Sequence, residues 1–185
     1  IYYIYFSIKY QALEKKWLMP FLKYIITAFT LIGSHQLFEF FSIITGNQII
    51  YKIGLILSIS SMYFFLRSLE VILNRNLKSK LALILIGLVT VHAFFVEMSL
   101  FIYFHICALK GRKLLKDNRS KRAILTYLLA TLDITFILSV IYTMWGYSQF
   151  SVNVCTDSPS IWCTFYVIQL FALPIFLLSV PKILE

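Results

Sequence analysis

The chain has 185 residues, of which 60% are hydrophobic and only 14% are charged, and its mean hydropathy is +0.83. A soluble domain carries roughly 25% charged residues, so this composition excludes an ordinary soluble protein. The formal net charge is +9. The basic residues gather in short connections between apolar stretches, which excludes a continuous basic face for binding nucleic acid.

The apolar stretches are tens of residues long, which predicts α-helices, because the strands of an outer-membrane barrel have only about ten residues. The predicted fold is an all-α, polytopic transmembrane helical bundle that forms one domain over 1–185. Its predicted elements are a partial helix and five complete spans, at 1–10, 20–46, 49–73, 81–109, 123–147 and 161–184. Pro20 suits a first helical turn and Gly46-Asn47 suits a tight turn. Short connections predict that consecutive helices pack antiparallel.

Positive charge sets the predicted orientation, because cytoplasmic connections are enriched in Lys and Arg. Antiparallel alternation places 11–19, 74–80 and 148–160 on one side and 47–48 and 110–122 on the other. Both sides then carry basic residues. The cluster at 110–122 is the densest, so we assign it to the cytoplasm and assign 148–160 to the exterior. Anionic lipid headgroups are the expected partners of 110–122, and other membrane subunits are further candidate partners.

Two cysteines bracket a short polar loop near the end of the chain. Cys155 and Cys163 can form a disulfide if this loop faces an oxidising compartment, although spacing alone does not show that the sulfurs meet. Cys107 lies within a predicted span, where a small, buried, apolar role is expected.

Five ionisable side chains lie inside the apolar spans: His35, Glu39, Glu97, His105 and Asp133. Such a group near the bilayer centre costs roughly 2.5–3.5 kcal/mol on insertion scales, so these residues usually face inward and mark a binding site or a path. Counting inward from the basic face puts His35, Glu97 and Asp133 at similar depths of roughly 16–18 Å. The sequence thus predicts a midplane triad of these three, with Glu39 and His105 lining an approach from the basic face.

These residue types admit three functions. Buried imidazoles and carboxylates can bind or conduct a proton or a cation, or bind a polar lipid headgroup. His35, Glu39, Glu97 and Asp133 can instead ligate a divalent metal in a lipid-modifying enzyme, although the sequence contains neither His-Glu-x-x-His nor Gly-x-Ser-x-Gly. In the third, the chain is a non-catalytic subunit whose polar groups only bond neighbouring helices.

Other polar and aromatic residues have structural explanations. Glu70 lies three residues after Arg67, and the two can neutralise each other near a span end. His92 is expected to bond a neighbouring helix. An interfacial aromatic belt is predicted from residues near span ends, namely Trp17, Trp145, Tyr147 and Trp162.

Four short segments resemble an uncharacterised family of small multi-helix bacterial membrane proteins. That family has a basic-Trp/Tyr-Leu-Pro start, then Gln-Gln-x-x-Glu-Gly, a second helix, a basic turn and a later Trp-Cys-Phe segment. The corresponding segments here are Lys15-Lys16-Trp17-Leu18-Met19-Pro20, His35-Gln36-Leu37-Phe38-Glu39-Phe40, Asn74-Arg75-Asn76-Leu77-Lys78-Ser79-Lys80 and Ser160-Ile161-Trp162-Cys163-Thr164-Phe165. The resemblance implies signature positions at Gln36, Glu39, Trp162 and Cys163, with His35 and Phe40 departing from the pattern, and it implies no assigned activity.

Overall fold

A computed structural model of the chain describes residues 16–80, 89–150 and 160–184, with side chains except at 89–95, 97, 142–150, 160–167 and 170. The described residues form five α-helices and no strand, which confirms the all-α class. In chain order the helices are α1 (Leu18–Thr45), α2 (Gln48–Leu73), α3 (Val89–Leu114), α4 (Arg119–Phe150) and α5 (Ser160–Leu184). The partial helix predicted at 1–10 lies outside the described residues.

Polar residues end and begin the helices. After α1, Gly46 has a φ of +64°, the left-handed conformation that glycine adopts without a steric penalty. Asn47 then caps α2 by accepting a hydrogen bond from the N–H two residues later, at 2.9 Å. Asn74 ends α2 in the left-handed conformation, and the side chain of Asn118 accepts from the N–H of Lys121 at 3.1 Å. The tight turn predicted at Gly46-Asn47 is confirmed, and α2 and α4 end and begin in the connections that the sequence predicts, 74–80 and 110–122.

Helices α1 and α2 form an antiparallel hairpin, as the sequence predicts. The rings of Phe29 and Phe65 pack edge to face with 5.5 Å between their centroids. Gly54 allows close approach, since a Cβ at this position would lie 3.1 Å from Nδ1 of His35. This hairpin has the most extensive helix contact in the described part of the chain.

Helices α2 and α3 run parallel, although the sequence predicts that they are antiparallel. Phe65 packs against Phe104, with 5.8 Å between ring centroids. About two turns further along both helices, Gly111 lies directly against the side chain of Leu73, where a Cβ would overlap with it. The C-terminal ends of α2 and α3 therefore lie side by side. The prediction fails because the length of a connection does not show where the next helix makes its contacts. Here Gly111, which has no side chain, packs against Leu73.

Helices α4 and α5 complete the bundle by antiparallel packing. Phe101 of α3 contacts Phe136 of α4, with 5.7 Å between ring centroids. Tyr127 of α4 stacks on Phe176 of α5 at 5.5 Å, and its hydroxyl donates to Oγ of Ser179 at 3.0 Å. Helix α5 also packs on α1, whereas the contact between α3 and α4 is less extensive than that between α4 and α5.

Most of the basic connections lie at one end of the bundle. Nζ of Lys121 lies 5.5 Å from the ring centre of Trp17, which joins the start of α4 to the start of α1. Ile183 of α5 lines a surface cavity with Arg119 of α4. The basic end, as we call it, carries the Lys and Arg residues of three segments, 16–17, 74–80 and 110–122. The last two segments share an end because α2 and α3 are parallel, which corrects their predicted placement on opposite sides.

Three helices in the described residues are long and apolar enough to cross a membrane: α1, α2 and the Arg119–Ile141 part of α4. Phe171–Leu184 of α5 is a shorter apolar helix. Large apolar side chains are exposed on the helices, including Phe40, Ile56 and Ile106, and an apolar surface of this extent suits contact with lipid. These are the features of a membrane protein, and the complete set of five spans stays a prediction.

We expect Leu73→Cys and Gly111→Cys to form a disulfide in a chain whose native Cys107, Cys155 and Cys163 are replaced by Ser. Parallel helices place the two positions side by side, whereas antiparallel helices of this length would hold them about 35 Å apart. The measurement is the mobility shift on a non-reducing gel after mild oxidation in membranes.

The matched control combines Leu73→Cys with Val89→Cys at the start of α3. Parallel packing puts these positions at opposite ends of the bundle, so no crosslink is expected. Efficient crosslinking of the control pair without crosslinking of the first pair would show that α2 and α3 are antiparallel.

Candidate functional site

An interhelical hydrogen bond joins His105 of α3 to Asp133 of α4. Nε2 of His105 lies 2.9 Å from Oδ1 of Asp133, and Nδ1 of the same ring lies 2.9 Å from the backbone O of Phe101. The ring also packs on Phe101, with 4.2 Å between centroids, and meets Phe104 edge to face. Contacts with both nitrogens and with the ring face thus fix the orientation of the imidazole.

The geometry of the His105 ring determines where protons lie. A backbone carbonyl can only accept a hydrogen bond, so Nδ1 carries a proton that it donates to Phe101. The contact between Nε2 and the carboxylate of Asp133 then needs one further proton, on the nitrogen or on the oxygen. This hydrogen bond thus holds one proton between the two helices.

The His105–Asp133 pair lies at the side of the bundle. The side chain of Asp133 is 56% exposed, while that of His105 is 18% exposed. Asp133 shares its face of α4 with exposed apolar side chains, those of Ile134, Ile137, Leu138 and Ile141. The sequence predicts an inward-facing Asp133, and the structure corrects this. The buried face of α4 is formed by residues such as Leu128 and Leu132, which leaves position 133 turned outward.

A second imidazole and carboxylate meet within α1. His35 and Glu39 are one helical turn apart, both are buried, and Nε2 of His35 lies 3.9 Å from Oε2 of Glu39. The imidazole lies against Gly54 of α2. A spacing of four residues predicts that His35 and Glu39 share a helix face, and their contact confirms it. The role of Gly54 was not inferred from the sequence, although a glycine inside an apolar span often marks a close backbone approach.

His35 and Asp133 do not share the level that the sequence predicts. Phe104, next to His105, contacts Phe65, which in turn contacts Phe29 of α1. His35 lies six residues beyond Phe29, which is about 9 Å farther from the basic end. The depth count fails because it measures His35 from the Gly46-Asn47 turn, and that turn lies at the end opposite 110–122. The functional roles of these residues stay predictions.

Several predicted residues fall outside the described side chains. Glu97 belongs to α3, but its side chain is not described. The predicted triad is therefore described only at His35 and Asp133. Cys155 and the side chain of Cys163 also lie outside, and their disulfide stays a prediction. The same holds for the side chains of His92, Trp145, Tyr147 and Trp162. Cys107 is a free, partly buried cysteine.

Two amide side chains have buried atoms without a hydrogen-bond partner in the described residues. These atoms are Nε2 of Gln36 on α1 and Oε1 of Gln169 on α5, and the two helices pack together. A buried polar group that lacks a partner costs about 1–3 kcal/mol, so we expect the partners of these atoms among groups other than the described residues.

The described side chains divide the predicted metal ligands between two places. His35 and Glu39 lie in the α1–α2 interface, and Asp133 pairs with His105 between α3 and α4. Across the described residues, no three His, Cys, Asp or Glu side chains form a group that could hold a metal ion. The metal-dependent alternative therefore has no donor set in that part of the chain.

The predicted pair of Arg67 and Glu70 forms, and Glu70 also holds the turn that follows α2. The guanidinium of Arg67 donates to Oε2 of Glu70. Oε1 accepts hydrogen bonds from the N–H groups of Leu77 (2.9 Å) and Ser79 (3.1 Å), and Oε2 accepts from the Ser79 hydroxyl at 3.1 Å. This buried carboxylate thus joins a helix, a cation and the turn. The sequence predicts only the pairing of Arg67 with Glu70. It does not predict that the turn folds back onto α2, because this contact depends on tertiary structure.

We expect Glu70→Ala to lower the free energy of unfolding by about 3 kcal/mol, because it leaves the charge of Arg67 unpaired and two backbone N–H groups without their acceptor. Glu70→Gln keeps one acceptor oxygen and should lose about half as much. The measurement is unfolding by sodium dodecyl sulfate in mixed micelles. Asp117→Ala, at an exposed turn residue, is the control. An unchanged Glu70→Ala protein would show that this carboxylate does not stabilise the turn.

A comparison of the chain with protein-family models, with curated proteins and with solved structures found no match. The resemblance at Gln36, Glu39, Trp162 and Cys163 therefore stays a prediction. The contacts of the described residues carry the functional argument instead.

Proposed function

We propose that the chain is a multi-pass integral membrane protein that binds and exchanges a proton at His105 and Asp133. The observation that carries the proposal is the imidazole with both nitrogens on oxygen acceptors, Phe101 on one side and Asp133 on the other. Loss of the shared proton would leave the Nε2 lone pair facing a carboxylate. Gain and loss of that proton therefore change the interaction between α3 and α4.

The surroundings of the pair support proton exchange. Asp133 is half-exposed at the side of the bundle, whereas the ring of His105 is held by Phe101 and Phe104. The two partners thus differ in exposure, while the imidazole keeps its orientation. Ionisable groups within membrane segments are functional by default, and chains of His and carboxylate groups form proton relays in pumps and transporters.

The buried His35–Glu39 pair extends this proposal into α1. It combines the same two group types in the α1–α2 interface, and it lies farther from the basic end than His105 does. We assign it, together with Glu97, to the same proton path. We place the basic end in the cytoplasm, because 16–17, 74–80 and 110–122 then all satisfy the positive-inside rule.

We expect Asp133→Asn to reduce proton flux to the level of protein-free vesicles. The asparagine amide can still donate a hydrogen bond to Nε2 of His105, so the helix contact is retained, but the amide does not release a proton. The purified chain is reconstituted into vesicles that contain a pH-sensitive dye, and a potassium diffusion potential drives protons inward. The initial rate of the change in dye fluorescence is the measured quantity.

Asp117→Asn is the matched control, since it makes the same chemical change in an exposed turn at the basic end. It should leave the flux unchanged. Full flux through the Asp133→Asn protein, or an equal loss in the Asp117→Asn protein, would refute a role for the His105–Asp133 pair.

A second candidate function, a non-catalytic subunit of a membrane complex, is favoured by the exposure of Asp133. A half-exposed carboxylate on an apolar face is costly in lipid, and a helix of another polypeptide would cover it together with Ile137. A photo-crosslinking residue at Ile137 should then give a polypeptide adduct in native membranes, while one at the exposed Leu178 of α5 should not. Labelling of lipid alone at both positions would remove this candidate.

A further inference from the structure

The turn after α2 forms one wall of a cavity of about 760 Å³ at the basic end. The charged side chains that line it are Arg67, Glu70, Arg75, Lys78 and Lys80. Four cations and one carboxylate give this lining a net charge of +3. Its volume is in the range of small-molecule sites, which is roughly 300–1,000 Å³. We call it the turn cavity.

The one carboxylate of the turn cavity is already engaged. Both oxygens of Glu70 accept hydrogen bonds from the turn, and Oε2 also pairs with Arg67. No ion pair joins Arg75, Lys78 or Lys80 to a carboxylate of the residues that the structure describes. The side chains of Arg75, Lys78 and Lys80 are exposed, so a ligand at this cavity can reach all three positive charges.

The backbone of the turn holds these cations in a defined arrangement. Lys78 has a φ of +54°, in the left-handed region that favours glycine or asparagine. Its N–H donates to Oδ1 of Asn76 at 2.8 Å. The residues on either side of it, Leu77 and Ser79, donate their N–H groups to Oε1 of Glu70. The hydroxyl of Tyr103 donates to the carbonyl O of Leu77 at 2.9 Å. A lysine therefore occupies a fixed backbone position where a smaller residue would be less strained.

We propose that the turn cavity binds the phosphate group of an anionic ligand. A phosphate offers several acceptor oxygens in a tetrahedral arrangement, and clustered Arg and Lys donors match them better than they match a single carboxylate. The planar guanidinium of Arg75 suits bidentate binding, while Lys78 and Lys80 supply point charges. The phosphate belongs to a lipid headgroup or to a soluble phosphate ester, and both present the same group to these residues.

The position of the cavity brings it to the level of lipid headgroups. It lies at the end of α2, a helix long enough to cross a membrane. Basic clusters next to the ends of membrane helices attract anionic lipids. The site is separate from the proposed proton site, and its occupation does not depend on that function.

The test measures binding of short-chain phosphatidylglycerol to the purified full chain in a neutral detergent by native mass spectrometry, with phosphatidylcholine as the zwitterionic reference. The variant is Arg75→Gln with Lys78→Asn, in which the asparagine tolerates the left-handed backbone. The matched control, Lys52→Gln with Lys182→Gln, removes the same charge from exposed positions outside both the turn cavity and 110–122. We expect the variant to weaken phosphatidylglycerol binding about tenfold and the control less than about twofold.

Addition of millimolar inorganic phosphate distinguishes the two sources of the phosphate group. Displacement of phosphatidylglycerol identifies a soluble phosphate ester as the occupant, and lack of displacement identifies the lipid headgroup. Circular dichroism and gel filtration verify that both double variants fold. Equal weakening in the two variants would overturn the proposal by showing diffuse surface attraction. It is also overturned if neither phosphatidylglycerol nor inorganic phosphate binds more tightly than phosphatidylcholine.

Discussion

The carboxylate of Glu70 holds the turn after α2, and the distribution of charge over the molecule depends on that turn. Its hydrogen bonds with the N–H groups of Leu77 and Ser79 keep the turn against α2. The carbonyl O of Leu77 then accepts a hydrogen bond from the Tyr103 hydroxyl of α3. With Gly111 seated on Leu73, the ends of α2 and α3 are fixed side by side. The basic residues after both helices therefore meet at one end. The two-sided charge distribution derived from antiparallel packing disappears, and the positive-inside rule no longer gives conflicting answers.

The two imidazole–carboxylate pairs use similar residues in different physical settings. His35 and Glu39 belong to one helix, are buried, and are separated by 3.9 Å, so the backbone of α1 holds them together irrespective of other helices. His105 and Asp133 belong to different helices and lie within hydrogen-bonding distance at 2.9 Å. Gain or loss of a proton at His105 and Asp133 therefore changes the contact between two helices. At His35 and Glu39 the same event changes mainly the charge within one helix. This difference is the reason that we propose proton exchange at His105 and Asp133 and not at the buried pair.

The sequence predicts much of the local structure and less of the site. Apolar length, Gly46, Asn47 and Asn74 locate the helices and their ends, because capping and left-handed backbone depend on neighbouring residues. The spacing of four residues likewise predicts that His35 and Glu39 share a face. The sequence does not predict the parallel packing of α3, because this depends on the contact between Leu73 and Gly111. The depth of His35 relative to Asp133 depends on the same contact. The sequence also does not predict the outward position of Asp133. A single carboxylate has less influence on which face of a helix is buried than the apolar residues of that helix have.

A bundle with its cations gathered at one end responds to the voltage across a membrane. Moving one elementary charge through a potential of 100 mV changes the free energy by about 2.3 kcal/mol. The basic end combines the Lys and Arg residues of 16–17, 74–80 and 110–122 with Lys182 near the end of α5. An energised membrane therefore stabilises the orientation with this end on its electrically negative side. During insertion, each basic connection adds to the same electrical preference instead of opposing its neighbour.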